Sequence, residues 1–387
     1  MGEKSRFWLT GRLRCCMKRK LFIIRPRMGH GGAERVTLTL LQHLDRTAFD
    51  LGLVLLQRDG PYVEDVPDDV TIYDLRARSL WTVWLPLARL LRRERPDILF
   101  SPGGTNVAAV IARALAGVET RVVLSERNIL YHSKLTLKRR LMVLAQRLLY
   151  PYADGLTAVS EGVKQDMVEK LNLPQQRIQV IYNPIVDDSL AALAQEPVDH
   201  PWFHDHKPII LGVGRLVEQK NFPLLIRAFA QVRAHCPARL VILGEGPLRQ
   251  ELLALAQELN IADDILLPGF DKNPFKYMAR ADIFVLSSLH EGLPGALIQA
   301  MACGTAVIST DCTYGPSEII TQPGQNGILI PTQNENSLVQ SLIDLLDRPV
   351  VRVSMGRMGQ TSVNRFSMDS VLEIYSSVFL EKTKRQE

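Results

Sequence analysis

Residues 283–319 read IFVLSSLHEGLPGALIQAMACGTAVISTDCTYGPSEI, and this stretch decides the fold. Ile283 to Leu286 is a short apolar run of β-prone residues, Ala296 to Ala302 suits a helix, and Thr305 to Ile308 is apolar and β-prone again. Strand, loop, helix and strand in that order predict a unit of a parallel α/β sheet. The loop from His290 to Gly295 then falls at the carboxyl edge of the sheet, where open α/β sheets bind ligands. Glu291 is expected to point into a cleft there. Gly292 and Gly295 let backbone approach a ligand closely, and free N–H groups at the following helix start favour an anion. Such a loop suits a sugar phosphate.

The segments before and after repeat the pattern. Pro208 to Arg215, PIILGVGR, reads as a strand and loop, followed by Lys220 and a helix from Pro223 to His235. Leu240 to Gly246 and Ile265 to Asp271 read as two more strands with glycine turns. Ile328 to Ile330 closes this sheet, with helices predicted over Asn336 to Leu346 and from Met368. Gly212 and Gly214 lack the third glycine of a dinucleotide fingerprint, and Arg215 and Lys220 occupy the loop instead. Two fixed cations can stabilise charge on a departing diphosphate. The sequence contains no D-x-D pair to hold a metal ion.

Toward the N-terminus, Leu21 to Ile24 is a strand, and Met28 to Arg35, MGHGGAER, is a glycine turn into a helix ending near Leu44. Gly29, Gly31 and Gly32 are not spaced as G-x-G-x-x-G, and no acidic ribose partner stands out in a clear second strand, which argues against a dinucleotide oxidoreductase. His30 reads as an ordinary loop residue. Ile98 to Ser101 and Val122 to Leu124 are further strands, each running into a polar loop at the cleft edge. In the second loop, Arg127 either neutralises phosphate, positions an acceptor, or forms an ion pair with Glu126. Gly155 to Ser160 is a strand and Glu161 to Leu171 a helix.

The Glu291 loop with its AMACG continuation resembles the nucleotide-sugar pocket of the retaining glycosyltransferases of the GT-B architecture, family four. That family carries a Glu, seven residues and a second Glu; here Glu291 matches the first and Gln299 stands at the second, giving E-x7-Q. The resemblance runs from about Lys20 to about Phe379. It implies two doubly wound Rossmann-like α/β domains facing across a cleft. The implied reaction is metal-independent, retaining transfer of a hexose or N-acetylhexosamine from a nucleoside-diphosphate sugar, UDP-linked, with no cofactor. The resemblance implies that Arg215 and Lys220 grip the pyrophosphate and act with Glu291 as the catalytic set. It implies donor contacts from Gly31 and Gly32, from Glu245, Gly269 and Phe270 around the nucleobase, from Gly292, Leu293, Pro294 and Gly295, and from Gln299 at the ribose. Arg127 and Asn183, the latter in VIYNPIVD, fall on the acceptor side. The loop at Arg127 lacks the histidine that many relatives carry, which leaves the acceptor-side group open. Thr310 to Ile319 resembles the subset acting on N-acetylhexosamines in bacterial surface polysaccharides, so a lipid-linked or glycan acceptor is expected. The implied organisation is a basic tail at residues 1–19, an acceptor-side domain at 20–190, a linker at 191–207, a donor domain at 208–365, and a helical segment at 366–387 crossing back to the first domain. The alternative from another class is a sugar-nucleotide-binding protein with little turnover.

Size and charge fit this picture. A chain of 387 residues suits two α/β domains, and 46% hydrophobic with 22% charged residues describes a globular protein. No apolar run approaches the roughly 20 residues of a spanning helix and no cleavable apolar leader is visible, so a cytoplasmic protein is expected. The five cysteines contain no C-x-x-C pair and are expected to be reduced. In the linker, His204, Asp205 and His206 are too close along the chain to converge on one metal ion, and an exposed linker is expected. Residues 1–195 carry 29 Lys+Arg against 20 Asp+Glu, and the remainder 17 against 21. The basic half points to an anionic partner. Three segments carry it: Lys4 to Lys20, a helix from Leu80 to Arg95 with Trp81 and Trp84, and a helix from Leu135 to Leu149 with Lys138, Arg139, Arg140 and Arg147. Each helix alone reads as a core face with solvated cations. Together they point to an anionic membrane surface on the inner face of the plasma membrane, and no nucleic-acid recognition motif is present.

Overall fold

A computed structural model describes residues 18–381 except 30, 78, 80, 81, 129–136 and 188. The basic tail through residue 17, His30 and Trp81 lie outside the described residues. Two all-parallel sheets form the frame. The first is built from β1 (Arg19–Arg25), β2 (Phe49–Leu55), β3 (Thr71–Asp74), β4 (Ile98–Pro102), β5 (Arg121–Glu126), β6 (Gly155–Ala158) and β7 (Ile178–Val180), in the order β3-β2-β1-β4-β5-β6-β7. The second is built from β8 (Ile209–Val213), β9 (Arg239–Leu243), β10 (Ile265–Gly269), β11 (Ile283–Leu286), β12 (Ala306–Thr310) and β13 (Ile328–Ile330), in the order β10-β9-β8-β11-β12-β13. In both sheets the order reverses beside the first strand of the domain, which opens a crevice at the carboxyl edge.

The central strands are buried on both faces, as parallel strands between helix layers must be. Ile283, Phe284, Val285 and Leu286 of β11 and Leu21, Phe22, Ile23 and Ile24 of β1 are all buried. This double burial explains why β2 escaped the sequence reading, which found no clear second strand. FDLGLVL has no alternation, and its acidic residue Asp50 sits at the start of the strand, away from the ligand edge.

The two domains share interior. The helix Met368–Leu380 places Val371, Tyr375, Val378 and Phe379 in the same core cluster as Leu21, Ile23, Phe49 and Phe100 of the first sheet. Phe379 meets Phe100 edge-on at 5.1 Å between ring centroids and Phe49 at 6.1 Å. The two passages of chain between domains are bonded to each other: Val186 N–H donates to Phe366 O at 3.1 Å and Met368 N–H to Val186 O at 2.7 Å. Within residues 191–207 lie the end of a short helix, Ser189–Gln195, and a 3-10 turn, Pro201–Phe203. Asp205 pairs with Arg239 at 2.6 Å, and the Arg239 guanidinium lies over the Trp202 ring.

The two basic helices differ. The helix observed over Trp84–Glu94 buries Leu87, Ala88, Leu90 and Leu91, so the core reading holds for it. Arg92 donates to the carbonyls of Leu115 and Ala116, and Arg93 pairs with Glu94. The helix Leu137–Leu149 instead turns leucines to solvent.

Candidate active site

The carboxyl ends of β8 and β11 deliver the charged groups. After β11, Ser288 Oγ donates to Glu291 Oε1 at 2.6 Å, and Lys220 Nζ reaches the same oxygen at 2.5 Å. Glu291 is buried at 7% exposure. The loop is laced to the turn at Glu218–Lys220 by Leu289 N–H to Gln219 O at 2.8 Å, Gln219 Nε2 to His290 O at 2.8 Å, and Ser287 Oγ to Lys220 O at 2.7 Å. Thr310 Oγ1, at the end of β12, donates to Ser288 O at 2.7 Å. The carboxylate is therefore fixed from three strand ends. One Lys220 hydrogen is committed to Glu291, and an ammonium has two more to offer. Arg215 is exposed and makes no ion pair among the described residues. Burial and the cations Lys220 and Arg139 hold the neighbouring His290 below its ordinary range, against the opposing pull of Glu291.

Backbone packs tightly around this loop. Gly315, at φ +92°, lies so close to Pro294 that a Cβ would sit 2.7 Å from its Cδ. A Cβ on Gly292 would collide with the Arg127 carbonyl, so this loop touches the first domain. Leu293 and Pro294 are buried and Gly295 opens the helix Gly295–Ala302. Gln299 sits one turn along it, partly exposed, with no side-chain hydrogen bond among the described residues.

Glu245, Gly269 and Phe270 group at the ends of β9 and β10. Gly269, at φ +95°, faces the Glu245 carboxylate, which lies 3.6 Å from Arg249, and Gly244 N–H donates to Gly269 O at 2.8 Å. Phe270 packs partly buried against the core cluster of the first sheet.

Across the cleft, Gly31 precedes and Gly32 begins the helix Gly32–His43. Glu34 folds back beneath Gly31 and pairs with Arg25, at the end of β1. Arg25 also donates to Pro102 O at the end of β4; burial lowers its pKa, Glu34 opposes this, and Arg127 adds to the lowering. Arg25 was missed because the apolar run ends at Ile24, whereas the strand runs one residue further.

Arg127 corrects one of the three readings offered for it. It does not pair with Glu126. It donates to Asn183 Oδ1 at 2.5 Å and to the Tyr375 hydroxyl at 2.9 Å, and its Nε has no partner among the described residues. Glu126 points the other way, accepting from Tyr150 Oη, from Asn106 Nδ2 at 3.0 Å and from Gln146 Nε2 at 3.3 Å. Arg127 and Asn183, both expected on the acceptor side, are thus brought together.

Glu318 of the TDC-x2-GP-x-EI segment also crosses the cleft. Its carboxylate accepts from Glu161 N–H at 3.1 Å, capping the helix Glu161–Leu171, and from Tyr182 Oη at 2.8 Å. Ser160 Oγ donates to Gly292 O at 2.9 Å.

Residues 30–189 match the family described as Glycosyltransferase Family 4. Residues 199–362 match Glycosyl transferases group 1. An N-acetylgalactosamine-N,N'-diacetylbacillosaminyl-diphospho-undecaprenol 4-alpha-N-acetylgalactosaminyltransferase of Campylobacter jejuni is 33% identical over 364 residues, 90% of this chain and 95% of its own. The chain is a family 4 glycosyltransferase. A lipopolysaccharide core biosynthesis glycosyltransferase of Rhizobium meliloti is 25% identical over 90% or more of both chains. Among solved structures, an Anabaena protein captured with UDP and glucose superposes with a TM-score of 0.75 at 17% identity, over 93% of this chain and 98% of that one. The architecture of this glycosyltransferase is GT-B, and among its described residues no helix is long and apolar enough to cross a membrane.

Proposed function

We propose that this glycosyltransferase moves a hexose or N-acetylhexosamine from a UDP-sugar to a hydroxyl of a lipid-linked acceptor, with retention, in the assembly of a bacterial surface glycan. The observation that carries the proposal is the fixed Lys220–Glu291 pair, with Arg215, exposed and without an ion pair among the described residues, in the same loop after β8 as Lys220. Arg215 and the spare hydrogens of Lys220 meet the diphosphate, and Glu291 faces the transferred sugar. The acceptor hydroxyl attacks the anomeric carbon on the face that the diphosphate leaves. The bond from that carbon to phosphate oxygen breaks, its electron pair passes to the diphosphate, and the departing oxygen takes the hydroxyl proton. Two protein cations meet the new charge, so no metal ion is required.

Gln299 supplies an amide oxygen to the ribose, Glu245, Gly269 and Phe270 bound the nucleobase, and Gly31 and Gly32 lie over the diphosphate. Arg127 and Asn183 serve the acceptor. A diphospho-undecaprenol acceptor and an α linkage are printed in the name of the Campylobacter jejuni relative, which supports a lipid-linked acceptor here. The protein then works as a peripheral protein at the inner leaflet, with an anionic membrane surface rather than nucleic acid as its large partner. The test is a thermal-shift panel of nucleoside diphosphates and their sugars, followed by transfer to a detergent-solubilised polyprenyl-diphosphate saccharide with and without chelator. A UDP-specific shift with chelator-resistant transfer of an α-linked sugar is expected. Donor binding without transfer in wild type, with transfer restored in Gln299→Glu, supports the binding-protein reading instead.

A further inference from the structure

The helix Leu137–Leu149 shows a pattern that folding does not require. Leu137, Leu141, Leu144 and Leu148 recur at helical spacing on one face and are 74%, 53%, 51% and 60% exposed, and Tyr152, just beyond, is 67% exposed. The opposite side does the packing: Val143 and Leu149 rest on the core, and Gln146 bonds to Glu126 and Tyr150. A contiguous apolar stripe of this kind marks an interaction surface. Arg140 and Arg147, seven residues apart along one edge of it, are exposed and make no ion pair among the described residues. That edge continues into an open groove of 370 Å³ lined by Arg140, Val143, Leu144, Arg147 and Lys170, the last already paired with Asp166.

We propose that this stripe is the membrane-docking surface, and that its partner is an anionic lipid bilayer. The leucines enter the acyl boundary while Arg140 and Arg147 lie at headgroup phosphates, an arrangement that suits a helix lying in the interface. A second copy of the chain would bring up the same cations, which repel. The start of the helix lies near the reaction centre, since the charge of Arg139 acts on His290, next to Glu291. Docking on this face therefore sets the cleft mouth at the bilayer surface. The Trp84–Glu94 helix buries Leu87, Leu90 and Leu91 and leaves Leu85 as its one exposed leucine, so it presents no stripe and is excluded from the docking surface.

The surface rests on the lipid-linked reading of the acceptor, but its test is separate. Wild type is sedimented with phosphatidylcholine vesicles, with and without phosphatidylglycerol, at low and high salt. Leu141→Glu with Leu144→Glu, and Arg140→Glu with Arg147→Glu, are compared with Val350→Glu combined with Val353→Glu, an apolar pair on the other domain that is at least as exposed. Thermal midpoints confirm folding. Binding to anionic vesicles is expected to fall about tenfold or more in the first two variants and to stay unchanged in the control. Unchanged binding in the leucine variant, equal loss in the control, equal binding to neutral vesicles, or a stripe variant that changes oligomeric state instead would overturn the proposal. Transfer to the detergent-solubilised acceptor separates the readings: transfer without stripe-dependent docking sinks the surface alone, and docking without transfer sinks the lipid-linked acceptor alone.

Discussion

Glu126 makes no ion pair among the described residues; it is buried, and burial pushes its carboxyl up to about 7 against the opposing hydrogen bonds of Tyr150, Asn106 and Gln146. Because its folded pKa lies above the unfolded value of 4.5, the folded state binds this proton more tightly. Its contribution to stability is full below pH ~4.5 and is lost as pH rises through about 7. Glu126→Gln keeps the accepting oxygen and cannot ionise. Relative to this variant, wild type is expected to lose on the order of 2–3 kcal/mol between pH 5 and pH 8; parallel urea-denaturation curves for the two proteins would refute it. At Lys220, replacement by alanine should lower turnover about 10²–10³-fold, the usual cost of one preorganised donor to a developing charge. A steady-state rate within a few-fold of wild type would remove Lys220 from the grip. Gln299→Glu turns a neutral bond to a ribose hydroxyl into a charge-assisted one and should tighten donor binding by about 1 kcal/mol, read by calorimetry; weaker binding would show that the amide is the fitted group. Adjacent residues at a strand end point to opposite faces, so the separation of Glu126 from Arg127 was already legible in the sequence. The pairing of Arg127 with Tyr375 was not, because nothing local links residues so far apart.

Elements were legible where their periodicity was closed by a turn signal. The helices at Glu161–Leu171 and from Met368, and the strands at Ile283–Leu286 and Ile328–Ile330, stand where their patterns place them. β3 did not show itself, being four residues long and partly exposed at the sheet edge. The two basic helices carry similar patterns and opposite fates, since a stripe in sequence does not say whether anything covers it. The helix Pro349–Ser362 is not evident from its sequence either, since Gly356 and Gly359 lower its helix propensity. Only Gly356 is required by close packing. A Cβ on Gly356 would collide with the Gly304 carbonyl, whereas one on Gly359 meets nothing nearer than 3.4 Å. Gly356→Ala should therefore destabilise by about 1–3 kcal/mol through overpacking, while Gly359→Ala should be neutral or stabilise by up to about 1 kcal/mol through helix propensity. Equal melting temperatures for the two variants would contradict this.

At the scale of the whole molecule, the two domains meet through glycine. Gly292 lies on the Arg127 backbone and Gly162 under the Tyr314 ring. Gly292→Ala should wedge the cleft, enlarging the radius of gyration of the ligand-free protein in solution scattering and lowering transfer at least about tenfold, as misplacement of reacting groups does. Scattering and activity matching wild type would mean that the contact does not set closure. The helix Met368–Leu380 binds the domains in another way, because Tyr375 and Phe379 complete the core around Phe49 and Phe100. The ribosome makes those two aromatics long after β7 has emerged. At roughly 5–20 residues per second, the first sheet waits on the order of ten seconds or more with part of its apolar face uncovered, while the second domain is made in its entirety. The newborn chain is therefore a natural client for chaperones that hold exposed apolar surface, and the first half becomes a finished domain only after the second has been translated.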